Sequence, residues 1–194
     1  MAGDIASLAR PLSDGDVRLE LRTESHREGL RVACAADPDI WEIYPMSMLG
    51  EHFDAGFDAM EAFHRTKNWV NYAVLNGDTV VGMTNYIGAD PVNGVVEIGG
   101  TYIAPDVRGG PFNRTMKTLM IDHAIACGYT RIEFRVDARN ERSMAAVLKL
   151  GATHEGTLRK NRVTWTGYVR DTAVFGLLAD EWTNRKHPPA STAG

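Results

Sequence analysis

Between Val95 and Cys127 the chain reads VVEIGGTYIAPDVRGGPFNRTMKTLMIDHAIAC, and this run leaves few ways to fold. An extended apolar segment ends at Ile103, and a glycine-rich turn follows at Arg108-Gly109-Gly110. An amphipathic helix then begins near Asn113, with Met116, Leu119, Met120 and Ala124 on one face and Gly128 placed to cap its end. A strand feeding such a turn brings backbone N–H groups and the positive end of the next helix to bear on one point, and that point attracts phosphate. Arg131 to Val136 alternates, with Ile132, Phe134 and Val136 on one side, so strand, helix and strand suggest a crossover with parallel pairing.

Upstream, Val17, Leu19 and Leu21 alternate with Arg18, Glu20 and Arg22 as in a half-buried strand. Thr23 or Ser25 can cap a helix to about Ala36, which Asp37-Pro38 ends because a residue before proline disfavours the helical region. A short segment holding Trp41 and Tyr44 stops at Pro45. The spacing of Phe53, Phe57, Met60 and His64 then predicts a helix from about Leu49 to Arg65. Asn71 to Leu75, a hairpin signal at Asn76-Gly77, Thr79 to Ile87, a turn at Asp90 to Gly94, and Val95 to Ile103 make a three-stranded antiparallel meander. Beyond the loop Asp137 to Asn140, a helix marked by Met144, Val147 and Leu148 ends at Gly151. Ala152 to Leu158 and Val163 to Leu177 are the last strands, the latter folded back at Thr166-Gly167, before a helical turn at Asp180 to Trp182.

A chain of 194 residues favours a single domain, placed at 16–182, with a flexible leader at 1–15 and a flexible tail at 183–194. The net charge of -4 gives no general attraction for nucleic acid or anionic lipid. No apolar run reaches the roughly 18 residues of a spanning helix, and no secretory leader is visible. Cys34 and Cys127 offer neither a disulfide framework nor a zinc motif. These features lead us to expect a cytoplasmic protein with no metal, nucleic-acid or membrane partner, for which a homodimer is an open assembly.

The order of elements resembles the GNAT N-acetyltransferase fold, an α/β (α+β) architecture whose mixed, mostly antiparallel sheet is flanked by helices. VEIGGTYIAPDVRGGPFN looks like that superfamily's strand and pyrophosphate loop. NERSMAAVLKLGATHEGTLR and GYVRDTAVFG look like the C-terminal half of the ribosomal-protein N-terminal acetyltransferase (Rim-type) branch. The loop departs from the usual Gln/Arg-x-x-Gly-x-Gly/Ala, reading Asp106-Val107-Arg108-Gly109-Gly110-Pro111, and proline removes one N–H donor while suiting a helix's first turn.

The resemblance implies transfer of an acetyl group from acetyl-CoA to a primary amine, by direct attack in a ternary complex. The acceptor would be a protein N-terminus or a small amine. The donor would lie where the fourth and fifth strands of the family fold, here Val95 to Ile103 and Arg131 to Val136, splay apart. Backbone groups of Tyr102 and Ile103 would hold its pantetheine, and the amides of Arg108, Gly109, Gly110, Phe112 and Asn113 its pyrophosphate. Asn140 would hold the pantetheine arm and Ser143 protonate the departing thiolate, with Arg142 able to meet a phosphate. The other reading of these residues is a loop asparagine, a serine capping the Met144 helix and a solvated arginine. Glu97 is the candidate base, or else a solvated or cross-strand side chain. A branch glutamate six residues after the Glu155-Gly156 motif is replaced here by Arg162. Trp41 and Tyr44 would line the acceptor side, or belong with Phe53 and Phe57 to a core stripe. His123, His154 and Cys127 are read as structural. One rival is a CoA-binding module without turnover. A phosphate-loop nucleotide enzyme is disfavoured because Gly109-Gly110 is not followed by Gly-Lys-Ser/Thr.

Overall fold

The computed structural model describes residues 3–186. Its helices are α1 (Ile5–Leu8), α2 (Arg27–Ala35), α3 (Phe53–Thr66), α4 (Phe112–Ala126), α5 (Glu141–Leu150) and α6 (Ala179–Lys186). Its strands are β1 (Leu12–Asp14), β2 (Val17–Leu21), β3 (Val70–Asn76), β4 (Thr79–Asp90), β5 (Val95–Ile103), β6 (Arg131–Asp137), β7 (Thr153–Val163) and β8 (Val169–Leu178). They form one sheet in the order β1-β2-β3-β4-β5-β6-β8-β7, antiparallel everywhere except between β5 and β6.

Alternation along each strand sends apolar side chains to two layers. Val96, Ile98, Ile132, Phe134, Ala173 and Phe175 pack with Met116, Met120 and Ile121 of α4, Val147 and Leu150 of α5, and Trp182 of α6. On the other face Met83 and Tyr102 pack under Leu30 and Cys34 of α2 and Phe53, Phe57 and Met60 of α3. Those two helices cover only the β3–β5 half. Arg22 ties α3 down through a buried ion pair with Glu61 at 2.8 Å.

The chain departs from expectation at its ends. Residues 4–14, expected to belong to a flexible leader, form α1 and β1: Leu8 is fully buried, and the Tyr72 hydroxyl donates to the carbonyls of Leu8 and Arg10. The tail expected at 183–194 is helical as far as Lys186, and the rest lies outside the described residues. The strands expected at Ala152 to Leu158 and Val163 to Leu177 are a longer hairpin, turned at Thr164–Tyr168. Every residue of β7 is exposed, so apolar periodicity there is faint; charged residues and an irregular register around Lys160, whose φ is 50°, keep this edge from pairing further.

Candidate active site

Parallel pairing joins β5 to β6 only through Val95–Arg131, Val96–Ile132 and Glu97–Glu133, after which the strands diverge. The expected splay between the strand Val95 to Ile103 and the strand Arg131 to Val136 is therefore present. A bulge accompanies it: Met83 opposes Tyr102 while Asn85 opposes Gly99, so β5 carries one extra residue there. Gly100 takes φ +56°, and Asn85 Nδ2 donates to the carbonyls of Gly99 and Gly100. The extra residue switches the pleat, so that Glu97 faces one side of the sheet and Thr101 the other.

Both strands run their C-terminal ends toward helix N-termini at the mouth of this wedge, the place where open sheets offer ligands a crevice. Gly109 has φ +77°, a conformation that strains any residue with a Cβ, and the space around it and Gly110 is open. Pro111 precedes the first turn of α4 and no side chain caps that end, leaving the N–H groups of Phe112 and Asn113 without intrahelical partners. These are the donors an anion would use. Arg108 does not point into solvent: Nε donates to the Ile103 carbonyl at 2.7 Å, Nη1 pairs with Asp37, and Nη2 is buried without a partner among the described residues.

The free edge of β5 is capped a second time. Tyr44 donates its hydroxyl to the Thr101 carbonyl at 2.5 Å, and burial holds its pKa above the ordinary phenol value despite Arg108 and Arg142 nearby. Tyr44 thus stands at the wedge, whereas Trp41 is 1% exposed, stacked on Tyr102 at 4.9 Å, with its indole N–H on the Cys34 carbonyl. The Tyr102 side chain is equally buried, donating to the Ala33 carbonyl at 2.6 Å. Phe53 and Phe57 are core residues.

Asn140, not Ser143, is the cap of α5: its Oδ1 accepts from the Ser143 N–H at 3.0 Å. Ser143 is half-buried, its hydroxyl making no hydrogen bond among the described residues, and Arg142 is exposed. Glu97 is held at the last rung of the parallel ladder with its side chain 19% exposed, 3.6 Å from Arg135 Nε. Burial is the main cause that raises its pKa to about 7, opposed by Arg135, Arg162 and Arg170.

Two residues escaped the sequence reading. Lys117 is 7% exposed, its Nζ donating to Thr101 Oγ1 at 2.6 Å, and burial pulls its pKa down to about 7. Its signal was a lysine on the apolar face of α4, one turn before Met120 and Ile121. Arg170 of β8, buried at 5% exposure, had no comparable signal in an alternating strand. His123 packs near the Tyr86 ring and His154 on Phe175. Among the described residues no three His, Cys, Asp or Glu side chains are grouped to hold a metal, and no helix is long and apolar enough to cross a membrane.

A mixed sheet that splits beyond a short parallel pair, with a glycine turn and an uncapped helix at the mouth of the split, defines the acyl-CoA N-acyltransferase fold. Solved structures agree. A candidate acetyltransferase from T. thermophilus is 31% identical with a TM-score of 0.81, covering 91% of this chain and 93% of its own. A GNAT-family protein from Chromobacterium violaceum is 30% identical with a TM-score of 0.84, covering 94% and 91%. Mycobacterium smegmatis RimJ, in complex with CoA-disulfide, shares the fold at 20% identity and a TM-score of 0.73, covering 89% and 87%. No curated protein matches the chain. The acetyltransferase (GNAT) domain model matches residues 17–153, and the chain belongs to the GNAT acetyltransferase family.

Proposed function

We propose that the protein transfers an acetyl group from acetyl-CoA to a primary amine by direct attack. The observation that carries this is Glu97, a carboxyl buried at the start of the β5–β6 wedge with a pKa of about 7. A base at that value is partly ionised at neutral pH, where it can still drive a proton from an ammonium through water. The neutral amine attacks the thioester carbonyl to form the carbon–nitrogen bond, and as the tetrahedral intermediate collapses the carbon–sulfur bond breaks; the Ser143 hydroxyl at the start of α5 gives its proton to the thiolate and is reprotonated, through water, by the proton that the attacking nitrogen sheds.

The N–H groups of Gly109, Gly110, Phe112 and Asn113 would hold the pyrophosphate; that of Arg108, expected to join them, instead donates to the Pro105 carbonyl at 3.1 Å and closes the turn before the loop. The β5 edge at Tyr102 and Ile103 and the side chain of Asn140 would hold the pantetheine, as an added strand is held. The CoA-disulfide complex of the M. smegmatis relative supports a CoA donor. Release of CoA thiol on adding amines tests turnover, and calorimetry with acetyl-CoA and with ATP tests the donor.

One observation favours a second reading, a CoA-binding module without turnover. The Thr101 and Ile103 carbonyls already accept from Tyr44 and Arg108, so the β5 edge is engaged before any donor arrives. Tight acetyl-CoA binding with no thiol release across a wide amine panel would establish it.

A further inference from the structure

We propose that Arg170 is the anion-binding half of the acceptor site, so that the amine this protein acetylates carries a carboxylate close to its amino group. The inference rests on the transferase function proposed above and names its substrate class.

Arg170 lies on β8 beside the tip of the β7–β8 hairpin. Its Nε donates to Thr172 Oγ1 at 3.1 Å, and that hydroxyl donates to Asn161 Oδ1 at 2.6 Å, so polar neighbours and not an opposite charge orient the guanidinium. Among the described residues Arg170 joins no ion pair, because the nearby carboxylates are engaged elsewhere. Asp137 accepts from Arg139 Nε at 3.0 Å and Nη2 at 2.9 Å, Glu133 is shared by Arg131 and Arg135, and Glu97 faces Arg135.

Arginine cannot escape such a position by losing its proton, and Asp137 and Glu97 attract the buried charge without pairing with it, so it keeps part of its burial cost. Among the described residues Nη1 and Nη2 make no hydrogen bond, yet neither is sealed from solvent. They form the edge of the guanidinium whose two parallel donors match the two oxygens of a carboxylate.

That edge belongs to the sheet face that also carries the candidate base. Strand register puts Arg170 on the same sheet face as Thr172 and Asp137, with Arg162 of β7 directly across from it. Glu97 occupies this face too, and its carboxyl feels both Arg162 and Arg170. The α2–α3 layer stops at β5, and the hairpin tip roofs what remains: Trp165 Nε1 donates to the Trp41 carbonyl at 2.8 Å, and Arg139 stacks on Tyr168 at 3.8 Å. A base for an ammonium and a guanidinium edge for an anion therefore lie on one sheet face, part of which the hairpin tip covers. A free amino acid has both groups on one carbon, and a peptide beginning with Asp or Glu has them a few bonds apart.

The test measures CoA thiol release with matched acceptors: an amino acid against its amide, and a tetrapeptide beginning with Asp against one beginning with Asn. The wild type should favour the charged member of one pair by roughly 10- to 100-fold in kcat/KM, and the pair that responds identifies the source of the carboxylate. Arg170→Gln should bring that ratio to within about twofold of unity, and Arg170→Lys should restore part of it. Equal rates within both pairs for the wild type, or an unchanged ratio in Arg170→Gln, would overturn the proposal. Calorimetric binding of acetyl-CoA to each variant reports folding and the donor site separately. If no amine is turned over, the transferase function fails and calorimetry decides the inference: the amino acid and the Asp peptide are titrated into CoA-saturated protein. Binding of either to the wild type but not to Arg170→Gln supports it; binding of neither, or equal binding to both proteins, sinks it.

Discussion

Glu97 and Lys117 sit at the same bulge with opposite charges, and burial moves both toward neutrality, the carboxyl up and the ammonium down. For Glu97 the folded-state value of about 7 exceeds the ordinary 4.5, so the folded protein binds the extra proton between those values. Its contribution to stability is complete below pH about 4.5 and is lost as pH rises through about 7. Glu97→Gln should therefore match the wild type at pH 4 and exceed it at pH 8 by on the order of 2 kcal/mol, read from urea melts. The same variant should lose about 100-fold in kcat/KM and the acidic limb of the pH profile; an unaltered profile would remove Glu97 from the chemistry. Ser143→Ala should lower turnover by about tenfold while leaving acetyl-CoA affinity nearly unchanged, and equal losses in both would make the serine a binding residue.

The β7–β8 hairpin does its work at its tip, where Trp165 reaches back 124 residues to the Trp41 carbonyl and lies tilted against the His52 ring at 5.0 Å. Trp165→Ala should free the tip and raise KM for the amine several-fold with little change in acetyl-CoA affinity, since the tip roofs one side of the wedge and not the other. This element was the hardest to read in advance. β7 exposes both faces, so its sequence lacks the alternation that made Ile132, Phe134 and Val136 plain, and only the Thr166-Gly167 turn marked the hairpin. The glycine turn and α4 were readable because a positive-φ glycine and an apolar stripe are local demands. Arg170 was not, because an arginine in an alternating strand reads the same whether it meets solvent or a buried gap.

Across the whole molecule, fold class and wedge were accessible from the order of elements, whereas the role of the N-terminal segment was not. A four-residue helix and a three-residue strand carry almost no periodic signal, and only the structure shows what they cover. Removing residues 3–11 should expose the site of Leu8 and leave the Tyr72 hydroxyl unpaired, costing on the order of 3 kcal/mol in chemical denaturation. A truncated chain with unchanged stability would make the segment ornamental. The short parallel ladder has a mechanical consequence. Three rungs of main chain join two half-sheets, β1 to β5 and β6 to β8, so the backbone offers a compliant seam across the middle of the protein. A molecule seated in the wedge becomes a strut between the halves. Amide hydrogens of β6 and β8 should then exchange more slowly with acetyl-CoA present, even at positions that never touch it.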